Sequence, residues 1–199
     1  YSTRTLCDYK ARLVETHLDG MILEFNNIEF NTLLTGRFNI SNLLAIFGAA
    51  VELGKKPEDV LCVLSTLRPV SGRFETIHSN DGITAIVDYA HTPDGLENIL
   101  ESVKKFAKGR VVVLFGCGGD RDKTKRPKMG RISTDLSDVV IVTSDDPRTE
   151  DPDEIIKEIL IGTVGSKAEV IAITDRFEAI KKAMQIAEKG DTVLLAGKG

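Results

Sequence analysis

Apolar residues along this chain change their spacing from segment to segment, and each spacing predicts an element. Up to about Leu34, short extended runs such as Met21-Ile22-Leu23-Glu24-Phe25 alternate with turn residues such as Asn26-Asn27, the pattern of β-hairpins. Over residues 39–53, Ile40, Leu43, Leu44, Phe47 and Val51 recur at helical spacing, with Gly54 as the stop. A second helix is predicted over residues 57–67, opened by Lys56-Pro57-Glu58-Asp59 with proline in its first turn. Pro69 and Gly72 then break the pattern, which places a domain boundary within residues 67–72.

Beyond that break the pattern becomes regular. Strands are predicted at residues 83–87, 111–115, 139–143, 170–173 and 192–195, separated by helices near 92–108, 127–136, 153–161 and 176–188. The first of these helices carries Leu96, Ile99, Leu100, Val103 and Phe106 on one face, and Asp175 with Glu178 three positions on reads as a capping box. Strand runs without polar alternation are covered on both faces, so the fold class is α/β: a mostly parallel sheet with helices on both sides. Four strands end in charged or glycine-rich loops, and in an open parallel sheet those loops share the edge where ligands bind.

Composition narrows the function. With 199 residues and a net charge of −4, the chain gives no reason to expect a nucleic-acid or membrane-surface partner. Three widely spaced cysteines, Cys7, Cys62 and Cys117, argue against a disulfide framework and against a Cys-x-x-Cys metal site. With no membrane-length apolar run and no signal peptide at its start, the expected setting is reducing and cytoplasmic. The start without Met and the stop at Gly197-Lys198-Gly199 suggest a piece of a longer protein.

The strand-end motifs carry the chemistry. Gly116-Cys117-Gly118-Gly119-Asp120-Arg121-Asp122 could bring backbone close to a ligand or simply form a tight turn. It matches neither G-x-G-x-x-G nor the phosphate-binding P-loop, and no P-loop occurs elsewhere in the chain. Basic residues follow it (Arg121, Lys123, Lys125, Arg126, Lys128 and Arg131), as a solvated face or a phosphate or carboxylate site. In Asp88-Tyr89-Ala90-His91-Thr92-Pro93-Asp94, Thr92 suits a helix cap, Asp88 at a strand end suits a sugar hydroxyl, and His91 is structural or functional. Asp145-Asp146-Pro147-Arg148 is a turn that could also grip a zwitterionic amino acid, Arg on the carboxylate and Asp on the amine. Asn39 is a candidate N-cap, and Asn39 with Asn42 could instead read an adenine edge.

These motifs, together with Gly36-Arg37-Phe38-Asn39-Ile40-Ser41-Asn42, Ser71-Gly72-Arg73-Phe74-Glu75, Lys125-Arg126-Pro127-Lys128-Met129-Gly130 and Ala196-Gly197-Lys198-Gly199, resemble the Mur ligase family of ATP-dependent amide-bond-forming enzymes. The resemblance is strongest to the branch that adds the third residue to the peptidoglycan precursor, and it covers nearly all of the chain from Thr35 onward. It implies that residues 1–70 are the end of a central ATP-binding domain and residues 71–199 a C-terminal Rossmann-like domain. Asn39, Asn42, Arg73, Asp88, Tyr89 and His91 would then serve ATP. Arg121, Asp145, Asp146, Pro147, Arg148 and Gly197 would lie around the incoming amino acid. The implied cofactors are ATP and Mg²⁺, and the partners are UDP-N-acetylmuramoyl-dipeptide and a free amino acid, bound by a monomer. In the resembling family the P-loop, the Mg²⁺ ligands and the main catalytic groups lie outside the stretch present here, so this piece is expected to be inactive alone and to hold no metal.

Asp146 stands where diaminopimelate-adding members of the resembling family have Asn. A carboxylate there would repel the distal carboxylate of diaminopimelate and attract the ammonium of lysine, by roughly several kcal/mol if desolvated. Lysine is therefore the expected acceptor and meso-diaminopimelate the alternative. Arg148 opposes that preference unless it pairs with Asp146 or binds the α-carboxylate. A folylpolyglutamate synthetase-like relative, a dinucleotide-binding module and a purely structural domain are the rival readings.

Overall fold

A computed structural model describes residues 7–17 and 20–198. The start of the hairpin segment and the last glycine of Gly197-Lys198-Gly199 therefore lie outside the described residues. The chain divides into two compact units, Tyr1–Val70 and Ser71–Gly199.

In the first unit, β1 (Ala11–His17), β2 (Gly20–Phe25) and β3 (Ile28–Thr32) form an antiparallel meander in that order. Along β2, Met21, Leu23 and Phe25 are buried while Ile22 and Glu24 are only half-buried, the period-two signature of a sheet with one covered face. Asn26 and Asn27 make the β2–β3 turn with positive φ values of 47° and 68°, a backbone that asparagine tolerates and that matches the strand twist. Helices α1 (Arg37–Glu52) and α2 (Pro57–Thr66) cover the sheet with Leu43, Leu44, Phe47, Val60, Leu61 and Leu64. Phe25 and Phe47 meet edge to face at 5.5 Å. Asn39 does not cap α1: the cap is Gly36 at φ 85°, and Asn39 sits inside the first turn, where its Nδ2 donates to Thr35 O at 2.7 Å.

The second unit is a six-stranded sheet. Its strands are β4 (Glu75–His78), β5 (Thr84–Asp88), β6 (Val111–Phe115), β7 (Val139–Val142), β8 (Glu169–Ala172) and β9 (Thr192–Ala196), in the order β4-β5-β9-β6-β7-β8. All neighbours are parallel except β4, an antiparallel edge strand that the sequence pattern does not predict. Its one large apolar residue, Ile77, is 53% exposed, so no buried stripe marks it.

Strand β6 shows how the layers assemble. Val111, Val113 and Phe115 face α3 (Pro93–Phe106), α4 (Lys125–Leu136) and α5 (Pro152–Ile161), while Val112 and Leu114 pack with Ala179 and Ala183 of α6 (Arg176–Ile186). The chain steps outward from β5 through β6 and β7 to β8, then returns to insert β9 beside β5. Parallel crossovers are right-handed, so reversing direction along the sheet sends the last helix to the opposite face. The far edge is pinned by Arg110, whose Nε and Nη2 donate to the buried Asp191 at 3.1 and 2.8 Å. The edge at the strand C-termini carries the loops that matter for function.

Leu100 is fully buried between α3 and the sheet. Leu100→Ala is expected to cost about 2–5 kcal/mol, and Ile77→Ala less than about 0.5 kcal/mol. Urea denaturation of the two variants against wild type measures both.

Candidate functional site

Strands β6 and β7 are neighbours, so the loops that follow them lie side by side. Gly119 N donates to Asp146 O at 2.8 Å, and Arg148 Nη1 donates to Gly119 O at 3.0 Å. A Cβ on Gly119 would sit 1.9 Å from Pro147 O, and one on Gly116 would sit 2.4 Å from Thr143 O. These two glycines therefore admit the neighbouring loop, not a ligand.

The acids of the glycine loop are also used locally. Asp120, at φ 52°, donates its N–H to Glu150 Oε1 at 2.7 Å and accepts from Thr149 Oγ1 at 2.8 Å. Asp122 Oδ1 accepts from Thr124 N and Oγ1 at 2.9 and 2.7 Å, bonds that hold its carboxyl below the usual range. Arg121 stands between these two turn-makers, exposed, with its stem beside Gly118. Cys117 is buried and its thiol is pushed up to about 11 by burial, so it stays protonated at neutral pH and is no nucleophile.

Arg126 ties the two loops together. It is 0% exposed, so it is no part of a solvated basic face. Its Nη1 and Nη2 donate to both carboxylate oxygens of Glu150 at 3.0 and 2.9 Å, to Glu158 at 2.8 Å, and to Gly118 O at 3.3 Å. Glu150 follows β7 and also receives Lys123 at 2.9 Å and the Asp120 N–H. With Arg126 as the first cause, then Lys123 and Asp120, the Glu150 carboxyl falls from 4.5 to about 2. Nothing local in the sequence identifies Glu150, because its partners lie in other elements.

Asp145 and Asp146 face different surroundings. Asp145 has 11% of its side chain exposed, and Lys198 Nζ lies 3.6 Å from its Oδ1. Asp146 is 64% exposed and lies 3.6 Å from Arg148 Nε. Arg148 itself takes φ 51°, held there by its bond to Gly119 O. Pro147 separates the two acids and fixes the turn. At the end of β9, Gly197 (φ 102°) donates its N–H to Asp88 O at 3.0 Å. Arg121, Asp145, Asp146, Pro147, Arg148 and Gly197 are thus placed along one continuous edge.

The loop after β5 forms the other end of that edge. Asp88 is buried; its Oδ2 accepts from Phe74 N and its Oδ1 from Ala90 N, both at 2.8 Å. Burial raises its carboxyl, against the pull of those two N–H groups and of Arg73. What remains for a sugar hydroxyl is the second lone pair of each oxygen. Arg73 lies over the Tyr89 ring at 4.6 Å, Tyr89 meets His91 edge-on at 5.0 Å, and Lys125 Nζ donates to His91 O at 2.9 Å. This is an exposed cation–aromatic cluster. Thr92 caps α3 by accepting from Gly95 N at 3.1 Å. Asn39 and Asn42 belong to the first unit, where Asn42 Nδ2 donates to Asn39 Oδ1 at 3.2 Å. Among the described residues no group of three His, Cys, Asp or Glu is placed to hold a metal ion.

Residues 72–199 match the Mur ligase, glutamate ligase domain. The chain belongs to the Mur ligase family. This Mur ligase chain is 54% identical over 202 residues to the UDP-N-acetylmuramoyl-L-alanyl-D-glutamate–2,6-diaminopimelate ligase of Bacteroides thetaiotaomicron, covering 100% of the chain and 42% of that protein. The protein of the same name from Bacteroides fragilis matches with the same identity and coverage. Among solved structures, a UDP-N-acetylmuramoyl-L-alanyl-D-glutamate–2,6-diaminopimelate ligase aligns with 36% identity and a TM-score of 0.63, over 99% of this chain and 41% of that one. The chain thus spans about two fifths of the length of the relatives it matches.

Glu150 yields a pH test. Its folded-state carboxyl lies below the ordinary value, so its stabilisation is complete above about pH 4.5 and is lost as pH falls toward about 2. Glu150→Gln should therefore be less stable than wild type at pH 7, with the gap closing between pH 4.5 and 2 in urea titrations. A gap that does not change with pH would remove the charge effect.

Proposed function

We propose that this chain is the amino-acid-binding end of an ATP- and Mg²⁺-dependent ligase that joins meso-diaminopimelate to UDP-N-acetylmuramoyl-L-alanyl-D-glutamate. The observation that carries the acceptor assignment is the placement of Arg148, on the strand-end edge with Asp146 beside it. The lysine preference expected from Asp146 needs a carboxylate that is both uncompensated and desolvated. Asp146 is neither: Arg148 lies 3.6 Å away, and most of its side chain faces water. The pair is close to neutral, and the planar fork of Arg148 suits a bidentate bond to a substrate carboxylate. The names of the relatives support the same acceptor. Diaminopimelate replaces lysine as the favoured reading.

The residues of this chain bind and orient. Arg148 and Arg121 offer guanidinium groups to the carboxylates of the amino acid, and Asp145 offers a carboxylate to its ammonium. The turn of Pro147 and Gly197 sets the spacing between them. The precursor's terminal carboxylate takes the γ-phosphoryl group of ATP, the amine attacks the acyl carbon, phosphate leaves and the amine loses a proton. Holding the amine in one orientation converts a bimolecular encounter into a near-unimolecular step. Arg73, Tyr89 and His91, with Asp88 behind them, form the candidate contact for the nucleotide, and Asn39 and Asn42 a candidate for adenine. Mg²⁺ would neutralise phosphoryl charge and is assigned to groups outside the described residues.

Residues 1–70 are assigned to the end of a central ATP-binding domain and residues 71–199 to the amino-acid domain. The precursor and the amino acid are the assigned partners, and the cytoplasm the assigned compartment. No helix among the described residues is long and apolar enough to cross a membrane.

Phosphate release by the complete ligase with ATP, Mg²⁺ and the UDP-dipeptide tests the reading. Turnover with meso-diaminopimelate should exceed turnover with lysine. Arg148→Ala should lower kcat/KM for diaminopimelate by roughly 10–100-fold, the cost of a lost charged hydrogen bond, and lower that for lysine less. Preference for lysine would overturn the acceptor, and no turnover with either would overturn the ligase.

A further inference from the structure

One cation at the strand-end edge is explained by none of the roles above. Arg176 opens α6, directly after Asp175, whose side chain caps the helix by accepting from Glu178 N at 2.9 Å. A positive charge in a first helical turn opposes the helix dipole, so α6 itself does not call for it. Its Nη2 donates to Ala196 O at 2.9 Å, the residue before Gly197. Its Nη1 is buried and has no hydrogen-bond partner among the described residues. A buried donor left unmade costs free energy, and a state in which it is filled would recover that cost.

The carboxylate beside the turn at Gly197 belongs to Asp145. Asp145 lies across from Gly197: a Cβ there would be 3.6 Å from Asp145 Oδ2. Among the described residues, Asp145 is engaged by Lys198, at 3.6 Å from Oδ1 and through its backbone O at 3.2 Å. Arg176 feels Asp145 as its opposing charge while burial lowers its own pKa. One cation is thus already at this nearly buried carboxylate, and a second, with an unused donor, holds the turn beside it through Ala196 O.

We propose that Arg176 is a positioning residue of the amino-acid site: through Ala196 O it fixes the turn that carries Gly197, and its unused Nη1 is the alternative partner of Asp145. When the ammonium of the amino acid arrives at Asp145, Lys198 is displaced and Arg176 steadies the carboxylate. The inference rests on the amino-acid reading of this edge, and the test separates the two.

In the complete ligase, Arg176→Gln is compared with Arg176→Lys and with wild type, measuring KM for diaminopimelate, for the UDP-dipeptide and for ATP, together with thermal midpoints. Arg176→Gln should raise the diaminopimelate KM about tenfold and leave the other two within about twofold. Arg176→Lys can still reach Ala196 O but lacks the planar fork that lets two separate nitrogens serve two acceptors, so it should recover the midpoint and only part of the KM. Combined with Asp145→Asn, Arg176→Gln should add little further loss, as for two groups acting through one contact. If wild type turns over diaminopimelate but all three KM values rise together, or none does, Arg176 is not a positioning residue. If wild type does not turn over diaminopimelate, the reading beneath the inference fails and the inference falls with it.

Discussion

A guanidinium with no exposed surface has to be neutralised where it stands, and Arg126 is neutralised by Glu150 and Glu158. The consequence for function is geometric. Arg126 belongs to the helix after β6, and Glu150 to the loop after β7, so their bidentate contact locks two strand-end loops into one surface. Asp120, Lys123 and Gly118 O join the same network. A pair of this kind adds little net stability compared with an apolar replacement, but it penalises every arrangement in which one partner is left alone. The loops that carry Arg121 and Arg148 are thus held to one mutual position by the cost of the alternatives.

The sheet supplies the reason that these loops share an edge at all. Three outward crossovers place α3, α4 and α5 on one face, and the return to β9 places α6 on the other. Because β9 inserts between β5 and β6, its C-terminal residues reach both the Asp88 loop and Asp145. A chain that had continued outward would have carried Gly197 away from both. Arg176, opening the one helix on the opposite face, contacts the same turn from below through Ala196 O.

How much of this can be read from the sequence follows from the range of each interaction. Elements set by local periodicity, such as α3 with its apolar face and β6 with its unbroken valines, are legible, as is the Thr92 cap. The edge strand β4 is not, because a half-exposed strand has no buried stripe to display. Asn39 reads as a cap until the backbone shows Gly36 at positive φ three residues earlier, taking that place. The strand-end loops are legible as loops, and the way they pack on one another is not. The glycines of the β6 loop look ready for a ligand, yet two are needed because another loop's carbonyl occupies the space. The Arg126–Glu150 pair spans 24 residues, and no spacing rule connects two such positions.

Asp146 gives the sharpest case of context overruling residue type. Taken as an isolated negative charge it selects against a substrate carboxylate. Beside Arg148, at 3.6 Å and mostly in water, it screens one arginine without cancelling the others on the edge. The edge then presents Arg121 and Arg148 toward solvent, with Asp145 recessed and countered by Lys198. Exposed cations around a recessed anion suit a ligand whose carboxylates lie outermost and whose ammonium enters deeper. A ligand with a carboxylate at each end complements such an edge more fully than one whose distal end is an ammonium, which would meet guanidinium groups with a like charge.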